Sequence, residues 1–316
     1  MTRSIILLIA LVFLAQYSFA NGAQTTPIDN NSHWLDRSHN VWHANTQKAA
    51  QWFDRFFGDL RDQDEQATMR TRITLGWEPS EGDTENTYAR VRVKVRLPNL
   101  KRRFDLLFSN DEVDDFNLLP LEANRPQDVA DTADNNFNAA LRWTKLSTLK
   151  ETIDLRVGVH SGPDIYLYGR HRRQHNFSKN TKMRLTPSFF LDTKYGIGGR
   201  LLTEFDYLFE HPGVVRLSGR GQISDKTDGL EWRGGLSYMY RFSTKGAVVS
   251  GLYLNGSTDG SQGDAIENYA ASIRLRNEFW RPYLFYEVEP YIDWPESKSY
   301  KSNVGITLRL NIVIGE

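Results

Sequence analysis

From residue 67 onward the chain alternates. In "TYARVRVKVRLP" (87–98), Ala89, Val91, Val93, Val95 and Leu97 fall on one parity and Arg90, Arg92, Lys94 and Arg96 on the other. A period of two marks a β-strand with unlike faces, because successive side chains leave the backbone on opposite sides. The pattern recurs at 68–77, 102–109, 137–146, 150–160, 164–173, 182–192, 197–209, 213–223, 229–242, 246–256, 266–279, 283–293 and 302–314. It predicts about 14 strands, most near the roughly 9 to 11 residues that cross a bilayer when tilted. In 302–314, for example, Val304, Ile306, Leu308, Leu310, Ile312 and Ile314 oppose Thr307, Arg309 and Asn311.

A soluble sandwich also alternates, so the pattern alone does not choose between water and lipid outside. Two further features favour lipid. No apolar helix beyond residue 60 offers a second layer, and aromatics gather at strand ends: Trp77, Tyr207, Phe209, Tyr240, Phe242, Phe279, Trp280, Tyr283 and Trp294. Membrane barrels carry aromatic girdles at those levels. The expected fold is an all-β, antiparallel transmembrane barrel.

The links set an orientation. "LPNLK", "LSTL", "EHPG", "STKG" and "WRPY" are short and alternate with longer or more polar links at 78–86, 109–136, 222–229, 256–266 and 294–302. Short turns belong at the periplasm and long loops outside. "HSGP" (160–163) is short where an outer loop is expected and 173–181 long where a turn is expected, which leaves 12 strands as the alternative count.

The N-terminal part reads differently. Residues 1–20 carry Arg3, an apolar run Ile5–Leu14 and Ser18-Phe19-Ala20, the layout of a secretory signal peptide cut after Ala20. Residues 21–66 are expected to be a periplasmic linker and amphipathic helix, with 67–316 as the barrel. Trp34, Leu35, Val41, Trp42, Ala49, Trp52, Phe53, Phe56, Phe57 and Leu60 recur at helical spacing. Such a helix could pack on the barrel, lie at the membrane interface or plug the barrel from the periplasmic side.

Composition removes some function classes. Lys plus Arg and Asp plus Glu stand at 39 each, which gives no overall pull toward nucleic acid, and there is no cysteine.

The last strand contains "NVGITLRL" (303–310), which resembles the C-terminal insertion signal of Gram-negative outer-membrane β-barrel proteins at Asn303, Gly305, Leu308 and Leu310. The chain then continues "NIVIGE", where such proteins usually finish on an aromatic residue. "SDKTDGLEW" and "EPYIDWPES" are similar to stretches of proteobacterial outer-membrane proteins. The resemblance to this porin-like group implies a barrel in the outer membrane, lipid and lipopolysaccharide around it, and assembly by the barrel-assembly machinery. It implies no activity and no cofactor.

With the apolar parity toward lipid, the other parity faces inward. It carries Arg70, Arg72, Arg90, Arg92, Lys94, Arg96, Arg142, Arg156, Arg184, Arg200, Arg216, Arg220, Arg233, Arg241, Arg274, Arg276 and Arg309. Against these stand Asp105, Asp154, Glu204, Asp206, Glu231, Glu287 and Glu289. Cations prevail, and low-dielectric walls focus their field. The excess points either to a water-filled lumen that prefers anionic solutes or to an acidic segment lying inside. Candidates for that segment are 54–65 and the loop 109–136, with Asp111, Glu112, Asp114 and Asp115. A solvated outer loop binding divalent cations beside lipopolysaccharide is the plainer reading of 109–136. Arg274 and Arg276, Glu287 and Glu289, then Arg309 alternate in sign over three successive strands, which predicts cross-strand pairing.

Enzyme chemistry finds little purchase. Neighbours on a strand point to opposite faces, so Ser161 cannot readily pass a proton to His160. Asp192 with His160, or Asp225 with Asp228, could imitate an aspartate-type protease. His39 and His43 lie one helical turn apart without a third ligand clearly placed, so no metal site is expected.

Overall fold

The computed structural model describes Trp52, Phe56 and residues 69–80, 86–97, 103–110, 137–148, 150–160, 164–193, 195–227, 229–258 and 265–315. The expected signal peptide, the rest of 21–66, and Asp111, Glu112, Asp114 and Asp115 lie outside the described residues.

Fourteen strands form one closed barrel: β1 (Met69–Trp77), β2 (Thr87–Arg96), β3 (Phe104–Ser109), β4 (Asn138–Ser147), β5 (Glu151–Val159), β6 (Ile165–Asn176) and β7 (Thr181–Asp192), then β8 (Gly196–Leu208), β9 (Gly213–Ser224), β10 (Glu231–Arg241), β11 (Gly246–Ser257), β12 (Ala265–Phe279), β13 (Arg281–Pro295) and β14 (Asn303–Ile314). Each strand pairs antiparallel with its chain neighbours, and β1 closes on β14 from Thr71↔Ile314 to Trp77↔Leu308. Closure leaves no unpaired edge, the condition for a sheet to stand in hydrocarbon.

The two parities separate as alternation demands. Outward Leu252, Leu217 and Val157 are 60%, 57% and 49% exposed, whereas inward Arg216 and Glu289 are each 0% exposed. An exterior of Leu, Val and Ile around a charged interior inverts a soluble protein, and it is stable only where lipid replaces water outside.

At the short-turn end, aromatic rings pack side by side. Tyr207 meets Phe209 at 5.1 Å, Phe209 meets His211 at 4.9 Å, and His211 Nε2 lies 3.1 Å from the Tyr238 hydroxyl. Trp280, 79% exposed, is the single residue between β12 and β13 and takes a left-handed φ of 60°. That conformation costs a bulky residue about 1–2 kcal/mol, and an interfacial ring can offset it by anchoring at the headgroup level.

The structure settles the count at fourteen and corrects the link at 173–181. β6 runs on to Asn176 and β7 begins at Thr181, so the connection is only 177–180, closed by the Phe177 N–H donating to the Thr181 carbonyl at 3.0 Å. "HRRQHN" is polar on both parities, which hid the strand's continuation. "HSGP" is a short outer link, in which the His160 N–H donates to the Asp164 carbonyl at 2.9 Å.

Inward glycines repeatedly lie directly opposite an aromatic ring, among them Gly76 with Tyr88, Gly158 with Tyr166, Gly198 with Phe190 and Gly305 with Tyr291. A Cβ at any of them would run into that ring. The rings fold over the bare backbone of the next strand, a device that pins register. Gly305 thus has a packing task beside its place in the insertion motif.

Candidate functional site: the charged interior

Alternation places Arg70, Arg72, Arg90, Arg92, Lys94, Arg96, Arg274, Arg276, Arg309, Glu287 and Glu289 all on the inward parity of their strands. None of them is exposed, and Arg72, Arg90, Lys94 and the five groups of β12–β14 are buried.

The β12–β14 residues form a ladder. Arg276 stands opposite Glu287, and Glu287 opposite Arg309. Arg276 Nη1 donates to Glu287 Oε1 at 2.6 Å, and Arg274 Nε to Glu289 Oε2 at 3.0 Å. Arg309 Nη1 bridges both acids, at 3.2 Å to Glu287 and 2.6 Å to Glu289. Its Nε donates to the Tyr88 hydroxyl at 3.0 Å, which carries the network across the β14–β1–β2 closure. Removing one partner of so dry a pair costs about 3–5 kcal/mol.

Three further clusters brace the wall. Arg216 holds Asp206 with Nε at 2.6 Å and Nη2 at 2.9 Å, and lies 3.2 Å from Glu204, which also takes Arg184 Nη1 at 3.0 Å. Asp105 gathers Arg142, Arg96 at 3.4 Å and Lys94 at 4.0 Å, while Asp154 takes Arg170 at 2.8 Å and Arg156 at 3.5 Å.

The β1–β2 face is different in kind. Its register sets Arg72 against Arg92 and Arg70 against Lys94, like charge against like. The inward positions of these two strands are Arg70, Arg72, Thr74, Gly76, Tyr88, Arg90, Arg92, Lys94 and Arg96, with no carboxylate among them. The guanidinium of Arg90 lies 4.5 Å from the Tyr88 ring centroid, a contact that tolerates burial of a cation.

Beyond β1, Glu78 keeps the inward parity and is 3% exposed. Burial pushes its carboxyl up to about 7. The Arg309 charge and the hydroxyls of Thr307 and Tyr291 work against that shift, and Glu289 works with it.

Arg170 and Arg172 were missing from the inward set read from sequence. The polar run beginning at Arg170 gives no contrast between faces, and the one cue was parity carried over from Tyr166 and Tyr168. His160 and Asp192 do meet, with Nε2 3.2 Å from Oδ2, while Nδ1 lies 2.6 Å from Asn138 Oδ1 and the ring stacks on Tyr166 at 4.7 Å. Asp192 Oδ1 also accepts the Tyr195 N–H at 3.0 Å, and Asp225 accepts the Ile197 N–H at 2.8 Å, so both carboxylates hold strand ends. Ser161 and Asp228 lie outside the described residues. Among the described residues, no group of three or more His, Asp or Glu side chains is arranged to hold a metal ion.

In the insertion motif, Asn303 and Gly305 face inward, where Asn303 Nδ2 donates to Asp293 Oδ1 at 3.0 Å, and Leu308 and Leu310 share the opposite, outward parity.

A closed antiparallel barrel with an apolar exterior, an aromatic girdle and a charged interior defines a transmembrane β-barrel of the outer-membrane type. No family model matches the chain, and no curated protein matches it. Among solved structures it is similar to Pseudomonas aeruginosa OpdK with vanillate, at 9% identity over 80% of this chain and 99% of that one, with a TM-score of 0.46. It is also similar to Pseudomonas aeruginosa OprD, at 8% identity over 79% and 96%, TM-score 0.45. A third is a bacterial polysaccharide outer membrane secretin, at 10% identity over 79% and 99%, TM-score 0.45. Values this low do not bear on function.

Proposed function

We propose that the chain is a passive outer-membrane channel for small anionic solutes, with the β1–β2 cations as its selectivity element. The observation that carries this reading is the like-charge register of Arg72 with Arg92 and Arg70 with Lys94. Opposed like charges destabilise a sheet, and in a low-dielectric wall they act as a standing attractor for anions. Lys94 and Arg96 share Asp105 of β3, as the interior cations of β5–β9 and β12–β14 share carboxylates across strands, but β1 and β2 contribute cations and no carboxylate of their own to the interior. Lipid and lipopolysaccharide are the outer partners, and the barrel-assembly machinery reads the final strand through Asn303, Gly305, Leu308 and Leu310.

The test is the triple variant Arg90→Ser/Arg92→Ser/Arg96→Ser in a planar bilayer under a salt gradient. The reversal potential should move toward that of a non-selective pore. A variant whose folded barrel keeps the parent's selectivity would overturn the proposal.

A further inference from the structure

One part of the interior is not charged. Leu208, Val214, Met239 and Val249 are successive register partners across β8–β11, all facing inward at the short-turn end. They are 1%, 0%, 0% and 2% exposed. A water-filled mouth would leave such a row wet, at a cost of about 25 cal/mol per Å² of apolar surface. The next inward level toward the mouth runs Arg241, Ala247, Arg276 and Glu287, again as register partners. Ala247, small and 0% exposed, stands between the two arginines.

Two residues from the N-terminal part of the chain stand at this level. Trp52 and Phe56 have helical backbone and are one turn apart. Their rings stack at 4.6 Å with 16° between planes. The Arg241 guanidinium lies 4.2 Å from the Trp52 centroid, and that of Arg276 lies 5.4 Å from Phe56 and 4.5 Å from Phe285. Phe56 meets Phe285 edge-on at 5.9 Å. Arg241, Arg276 and Phe285 are all on the inward parity of their strands.

We propose that the segment carrying Trp52 and Phe56 is a plug seated in the inner mouth, and that its seating limits flow. Aromatic rings over Arg241 and Arg276 form the latch, next to the inward apolar row, where a seated helix needs an apolar face. The sequence supplies that face, since the apolar positions of 33–60 recur at helical spacing. A segment that lay on the membrane would have its rings at lipid, not against arginines inside the barrel. The flow-limiting part of the proposal rests on the channel reading, whereas the seat does not.

Two experiments separate them. The chain has no cysteine, so Phe56→Cys/Phe285→Cys gives a single pair that a short bifunctional thiol reagent can join in the folded barrel. The link should form and be seen as altered mobility of the heat-denatured chain. Failure to link in a barrel that shows normal heat-modifiable folding would overturn the seat. In planar bilayers Trp52→Ala/Phe56→Ala should conduct several-fold more than the parent, and the linked variant less than before linking. Equal conductance of Trp52→Ala/Phe56→Ala and parent would overturn the plug as a barrier. A rise in conductance without anion selectivity would support the plug and count against the charge reading.

Discussion

Glu78 is where a single residue's titration reaches the fold. Its carboxyl is raised from 4.5 to about 7, chiefly by burial, so the folded barrel binds this proton more tightly than the unfolded chain does. Between those two values the folded state holds more proton than the unfolded, and unfolding free energy therefore falls as pH rises through the window. Denaturant midpoints of the refolded barrel should drop from pH 4.5 to about 7 and then level. Glu78→Gln should remove that component. A midpoint difference between parent and variant that is independent of pH would mean Glu78 is not protonated in the fold. The sequence did not point to this residue, because Glu78 sits in a link between strands and its burial comes from the register of β14 against β1.

At the level of elements, alternation carried most of the information. "TYARVRVKVR" could be read directly because every apolar residue falls on one parity and every cation on the other. The reading failed where that contrast vanishes: the polar tail of β6 concealed three residues of strand and, with Arg170 and Arg172, two inward cations. The ladder over β12–β14 was legible as alternating signs on successive strands, but the double role of Arg309 depends on register that sequence alone does not supply. Glu289 is the residue on which that ladder turns, since it accepts from both Arg274 and Arg309. Glu289→Gln should lower the unfolding free energy by about 3 kcal/mol, because Glu287 would remain the one carboxylate of the ladder for the three buried guanidiniums of Arg274, Arg276 and Arg309. Guanidinium unfolding in detergent micelles checks this, and an unchanged midpoint would show that water screens the ladder.

For the molecule as a whole, equal totals of basic and acidic residues conceal a segregated arrangement. Carboxylates are threaded among the cations on β3–β9 and β12–β14, while the charged inward residues of β1 and β2 are all cations, two of which reach Asp105 on β3. The inner mouth adds an apolar seat, which sequence reasoning could name only as one of three places for the Trp52–Phe56 segment. What the pattern could not say is which face of that segment meets which strands, because a helix and a sheet share no periodicity. The measurement that bears most directly on the central claim is the reversal potential of the refolded parent barrel in a planar bilayer under a potassium chloride gradient. A potential displaced toward chloride equilibrium is the expected result; displacement toward potassium equilibrium would contradict an interior that selects anions.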